Sequence, residues 1–157
     1  MRLLQASGDT FVFELDKQEK TLLFELLKLY PLVPLAHHRL TKAAEPKELA
    51  PAQQLLEEAV AEQRQQNKQQ LLAMLNDPQR FEPVERGFRL RLTGPQIEWL
   101  LQVLNDLRVG SWIILGEPDY DDLKHVKLAL QNPRYFLTME ISGQFQALLL
   151  HALDGDA

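Results

Sequence analysis

Apolar residues recur along this chain with two periods, and the switches between them mark its elements. Phe11, Phe13 and Leu15 alternate with Val12 and Glu14, the period-two pattern of a strand with one buried face. Arg2–Gln5 precedes it across Ser7, Gly8 and Asp9, which suit a turn, so a hairpin is predicted. The period then changes. Asp16 with Glu19 three residues on reads as a capping box, and Leu22, Leu23, Leu26, Leu27 and Tyr30 make the apolar face of a helix that Pro31 ends. A proline-punctuated stretch follows through about Pro46 and reads as irregular or as a short helix. From Pro51 to Asn76 a long helix is predicted, apolar at both ends but with a middle, EQRQQNKQQ from Glu62 to Gln70, that has no apolar residue. Such a middle is a solvated span, a docking surface for a partner, or not stably helical, and the solvated span is the expectation.

A second strand, Phe88–Leu92, puts Phe88, Leu90 and Leu92 on one face and Arg89 and Arg91 on the other. Thr93 and Gln96 form another capping box, with Pro95 near the start of a helix reaching about Leu115. Two further helices are predicted over Asp119–Leu130 and Tyr135–Leu153, the latter with Gly143 inside it. Laying Phe11 over Phe88 aligns two segments. FVFEL meets FRLRL, Asp16 meets Thr93, Glu19 meets Gln96, and Leu22, Leu23, Leu26 and Leu27 meet Trp99, Leu100, Val103 and Leu104. If this is a structural repeat, the two strands lie side by side with their helices on one face. The whole pattern predicts a single domain over 1–157. Its expected class is mainly α, five to six helices around one core with a small two- or three-stranded sheet.

Composition narrows the function more than it names it. The 157 residues contain no Cys, which removes disulfides, thiolate metal sites and a cysteine nucleophile. A net charge of −5, from 17 basic and 22 acidic residues, argues against generic nucleic-acid binding. The longest near-apolar run, Val109–Gly116, falls far short of the ~20 residues of a membrane span, and the first ten residues do not read as a signal peptide. The expected place is therefore the cytoplasm. The four histidines, His37, His38, His125 and His151, have no metal-ligand spacing. The acidic run Glu117, Asp119, Asp121 and Asp122 lacks the alternation of a calcium loop and reads as helix capping. No phosphate loop, dinucleotide fingerprint or nucleophile elbow is present. No cofactor and no metal are predicted. Arg89 and Arg91 read as a solvated sheet face.

The most specific segment is Trp99–Gly116, WLLQVLNDLRVGSWIILG. Leu100, Val103, Leu104 and Leu107 form its core face, while Glu98, Gln102, Asn105 and Asp106 form its polar face. Arg108 has no carboxylate three or four residues away, so a structural ion pair with another part of the fold is expected, or else a ligand or partner. Val109, Trp112, Ile113 and Ile114 are apolar on all sides and need a lid. The lid is either the last helix, through Phe145, Leu148, Leu149 and Leu150, or a second copy, so a monomer or a weak homodimer is expected. Trp99, Asn105, Asp106, Arg108 and Trp112 are the candidate binding residues, and no catalytic residue is marked.

Trp99–Gly116 also resembles the signature helix of a bacterial family known only as a domain of unknown function, whose members are often encoded beside an adaptor of the Clp protease. The matching positions are Trp99, Leu104, Asn105, Asp106, Leu107, Arg108 and Gly116. The resemblance brings no activity; it implies an adaptor or regulatory role by gene neighbourhood alone. Two functional expectations follow. One is a cytosolic, non-catalytic interaction or regulatory module with an unknown protein partner, linked to regulated proteolysis. The other is a small-molecule-binding protein or enzyme with a helical pocket near Asn105, Asp106 and Arg108.

Overall fold

The computed structural model describes residues 1–32, 50–119 and 122–155, with the side chains of 122–125 and 128 left out. The order of elements is β1 (Arg2–Ser7), β2 (Thr10–Leu15), α1 (Lys17–Lys28), α2 (Ala50–Leu75), β3 (Phe81–Val84), β4 (Gly87–Thr93), α3 (Gly94–Ile114), α4 (Asp122–Gln131) and α5 (Pro133–Leu153). The strands form one antiparallel sheet in the order β1-β2-β4-β3. The protein is therefore a mixed α/β fold with a four-stranded sheet, and the expectation of a mainly α bundle with two or three strands is corrected. The missing strand is β3. Its four residues, FEPV, show no alternation, and Pro83 removes a donor from the ladder. A proline is tolerated there because β3 is an edge.

The two aligned segments do lie side by side. Phe11 pairs with Leu92, Phe13 with Leu90 and Leu15 with Phe88. Phe13 thus faces its own counterpart Leu90, so a pseudo-two-fold axis passes through that pair. The outer hairpins obey the same symmetry: Ser7↔Thr10 and Ala6↔Phe11 correspond to Val84↔Gly87 and Pro83↔Phe88. Only at Leu4 does the first hairpin depart, by a register shift between Leu3 and Gln5. The repeating unit is therefore strand, strand, helix. Both helices begin with a complete capping box, Asp16 with Glu19 and Thr93 with Gln96. Asp9, in the first hairpin's turn, also accepts the Gly94 N–H through its carboxylate at 3.2 Å, which places a negative charge at the start of α3.

Phe13, Leu15, Leu90 and Leu92 on one face of the sheet share a core with Leu23, Leu26 and Leu27 of α1 and Ile97, Leu100, Val103, Leu104 and Leu107 of α3. The other face is charged. In register across all four strands it runs Arg2, Glu14, Arg89, Glu82, alternating in sign, with Arg91 also paired to Glu82 at 2.9 Å. α5 packs along α3, adding Phe145, Leu149 and Ala152 to the core. Small residues of both helices, Gly110 and Ser111 of α3 and Thr138 and Ser142 of α5, are buried. The proline-punctuated stretch, with His37 and His38, lies outside the described residues.

Candidate functional site

The polar middle of α2 is not simply solvated. Arg64, Asn67, Lys68 and Leu71 stand at i, i+3, i+4 and i+7, so they share the stripe that continues into buried Leu71 and Met74. Asn67 is 4% exposed. Its Oδ1 accepts from Trp99 Nε1 of α3 at 3.0 Å and from Gln63 Nε2 at 3.1 Å. Its Nδ2 donates to the hydroxyl of buried Tyr30 at 3.3 Å. The indole N–H can only donate, so it fixes which way the Asn67 amide points. Tyr30 in turn donates to Asp106 Oδ2 at 3.4 Å, and Arg64 Nε lies 3.7 Å from the same oxygen. Lys68 closes the end of α1 by donating to the Tyr30 carbonyl at 2.7 Å and the Lys28 carbonyl at 3.3 Å. One hydrogen-bonded chain thus ties α1, α2 and α3 together.

This chain perturbs two acids. Desolvation raises the Asp106 carboxyl above its ordinary range, opposed by Arg64 and by the Tyr30 hydroxyl. Burial likewise raises the Tyr30 phenol, with Asp106 adding to the shift and the Asn67 hydrogen bond working against it. Every polar atom named here already has a protein partner, so the arrangement holds three helices together. Tyr30, Arg64 and Asn67 were not among the sequence candidates. Their signal was the helical phase: the polar residues at 64, 67 and 68 continue the apolar stripe at 71 and 74.

The five sequence candidates fall into two groups on α3. Trp99 and Asp106 face α2 and belong to the chain just described. Asn105, Arg108 and Trp112 face away from it and line a cleft of about 430 Å³ between α3 and α5, together with Val109 and Met139. The expected structural ion pair of Arg108 does not form among the described residues. α5 does not act as the full lid either. It covers the side of α3 that carries Gly110 and Ser111, while Val109 and Trp112 remain 41% and 37% exposed.

What partly covers Trp112 is the chain after α3. Gly116, at φ 88°, makes the left-handed turn of a helix C-terminus. The Gly116 N–H donates to the Ile113 carbonyl at 3.0 Å and the Glu117 N–H to the Trp112 carbonyl at 2.9 Å, the paired bonds of a Schellman motif. This turn brings Pro118 back over the helix, where its carbonyl accepts from Trp112 Nε1 at 3.2 Å. Among the described residues no group of His, Asp or Glu is placed to hold a metal ion. No helix among them is long and apolar enough to cross a membrane. No protein-family description, curated protein or solved structure matches this chain.

Proposed function

We propose that this protein is a cytoplasmic, non-catalytic interaction or regulatory module that meets a protein partner at the α3–α5 cleft. The observation that carries this reading is an exposed Arg108 and Trp112 one helical turn apart, with Val109 exposed beside them. Arg and Trp are the residue types that dominate binding energy at interfaces. The hydrogen-bonded chain through Asp106 supports a non-catalytic role, because its acid is already engaged by Tyr30 and Arg64. The resemblance of Trp99–Gly116 to a family encoded beside a Clp-protease adaptor adds regulated proteolysis as the setting. The cleft volume favours a second reading, a small-molecule site, because ligand pockets fall in the range of a few hundred Å³.

Photo-crosslinking in cells tests the interaction reading. A photoreactive amino acid is placed at Asn105 or Val109 in the cleft, and at exposed Leu22 of α1 as a control. The expected result is the same discrete adduct from both cleft positions and none from Leu22. An adduct of twice the chain's own mass would identify the partner as a second copy. Adducts no stronger from the cleft than from Leu22 would defeat the reading.

A further inference from the structure

We infer that the α3–α5 cleft binds a small monocarboxylate with an aromatic or branched apolar body, an effector for the module. The inference rests on the cleft being the working face proposed above. Asn105, Arg108, Val109 and Trp112 occupy i, i+3, i+4 and i+7 of α3, so one wall of the cleft is a continuous helical stripe. The stripe is graded: its first two residues are polar and its last two are apolar. Met139 of α5 adds to the apolar end, and Pro118, held by the Trp112 indole, closes it. A polar end and an apolar end along one cleft fit an amphipathic ligand.

The sign of the ligand's charge follows from Arg108. Its stem runs beside Gly143 of α5, where a built Cβ would lie 4.0 Å from Arg108 Cδ. Its guanidinium makes no hydrogen bond or ion pair with any described residue, and neither does the Asn105 amide one turn away. Among the described residues this leaves a cation with no bonded counterion and a neighbouring amide donor at the polar end of the cleft, in a chain with net charge −5. A planar carboxylate matches the guanidinium in a bidentate pair, and the Asn105 amide supplies a further donor. The apolar body would lie along Val109 and against the Trp112 ring. Asp119, next to Pro118 in the chain, also lines the cleft, and a second anionic group near it would be repelled. The cleft therefore selects monocarboxylates over dicarboxylates.

The test titrates the full chain with 4-phenylbutyrate, 4-phenylbutanol and 4-phenylbutylamine, following the two indole N–H resonances by NMR. The acid is expected to move the Trp112 signal, to leave that of Trp99 in place, and to bind at least about tenfold tighter than the alcohol. In R108Q the acid should fall to the affinity of the alcohol, while alcohol binding is unchanged and shows that the cleft is intact. Equal binding of acid and alcohol in the wild type, an acid preference that survives R108Q, loss of alcohol binding in R108Q, movement of Trp99 instead of Trp112, or no response to any probe at millimolar concentration would each overturn the inference. If the titration fails while crosslinks from Asn105 and Val109 persist, only the effector is lost. If the titration succeeds without crosslinks, the carboxylate site stands as a small-molecule site and the protein-partner reading falls.

Discussion

Removing the Asn67 side chain should release α2 from the rest of the fold. Asn67 is 4% exposed and joins Trp99 of α3 to Tyr30 at the end of α1. In N67A the Trp99 N–H loses its acceptor, whereas the Tyr30 hydroxyl keeps Asp106. Trp99 is part-buried, and leaving its donor unpaired falls within the cost of about 1–3 kcal/mol for such a group. The expected destabilisation is about 2 kcal/mol, or roughly 4–8 °C in Tm for a domain of this size. W99F deletes the donor itself, so the double variant N67A/W99F no longer carries the orphan group. Its loss should fall short of the sum of the single losses by about 1 kcal/mol. Urea denaturation of the four proteins measures this coupling, and hydrogen exchange over Glu62–Gln70 should accelerate in N67A. Additivity within about 0.5 kcal/mol, with unchanged exchange in that span, would refute the claim that this network holds α2 in place.

Three other expectations follow from single sites. Asp106 has a folded pKa above its ordinary value of 3.8, so its contribution is fully present below that value and is lost as pH rises through the folded one. Wild type should therefore lose stability relative to D106N across that acidic window and run parallel to it above; urea denaturation from pH 3.5 to 7 reads this, and a difference independent of pH would contradict it. Gly143 sits inside α5 with only Arg108 Cδ near a built Cβ, at 4.0 Å, so G143A should stabilise by about 0.5–1 kcal/mol through helix propensity. At Gly87 a built Cβ would lie 2.2 Å from the Leu15 carbonyl oxygen, so G87A should cost at least about 2 kcal/mol. Thermal denaturation of the pair should give shifts of opposite sign.

The sequence alone determined the elements whose stabilising interactions are local. Capping boxes at Asp16 and Thr93, the alternation of Phe11–Leu15 and Phe88–Leu92, and the helical stripes after each are set by residues within a few positions of one another. The pairing of the two strands was legible too, because a duplicated strand–helix pattern suggests a duplicated arrangement. β3 was not, since FEPV has no period of its own and is a strand only because β4 offers it a partner. Nor could the chain's polar middle be assigned from composition. EQRQQNKQQ looks solvated until tertiary packing sets Asn67 between Trp99 and Tyr30, residues far from it in sequence. Tertiary structure also separated the five candidates on α3. Along the chain Asp106 and Arg108 are near neighbours, but about 200° of helical rotation lies between them. Asp106 therefore meets Tyr30 and Arg64, while Arg108 faces the cleft with Asn105 and Trp112. Which face of a helix is covered depends on the elements that pack around it, and that was decided by the sheet and by α5.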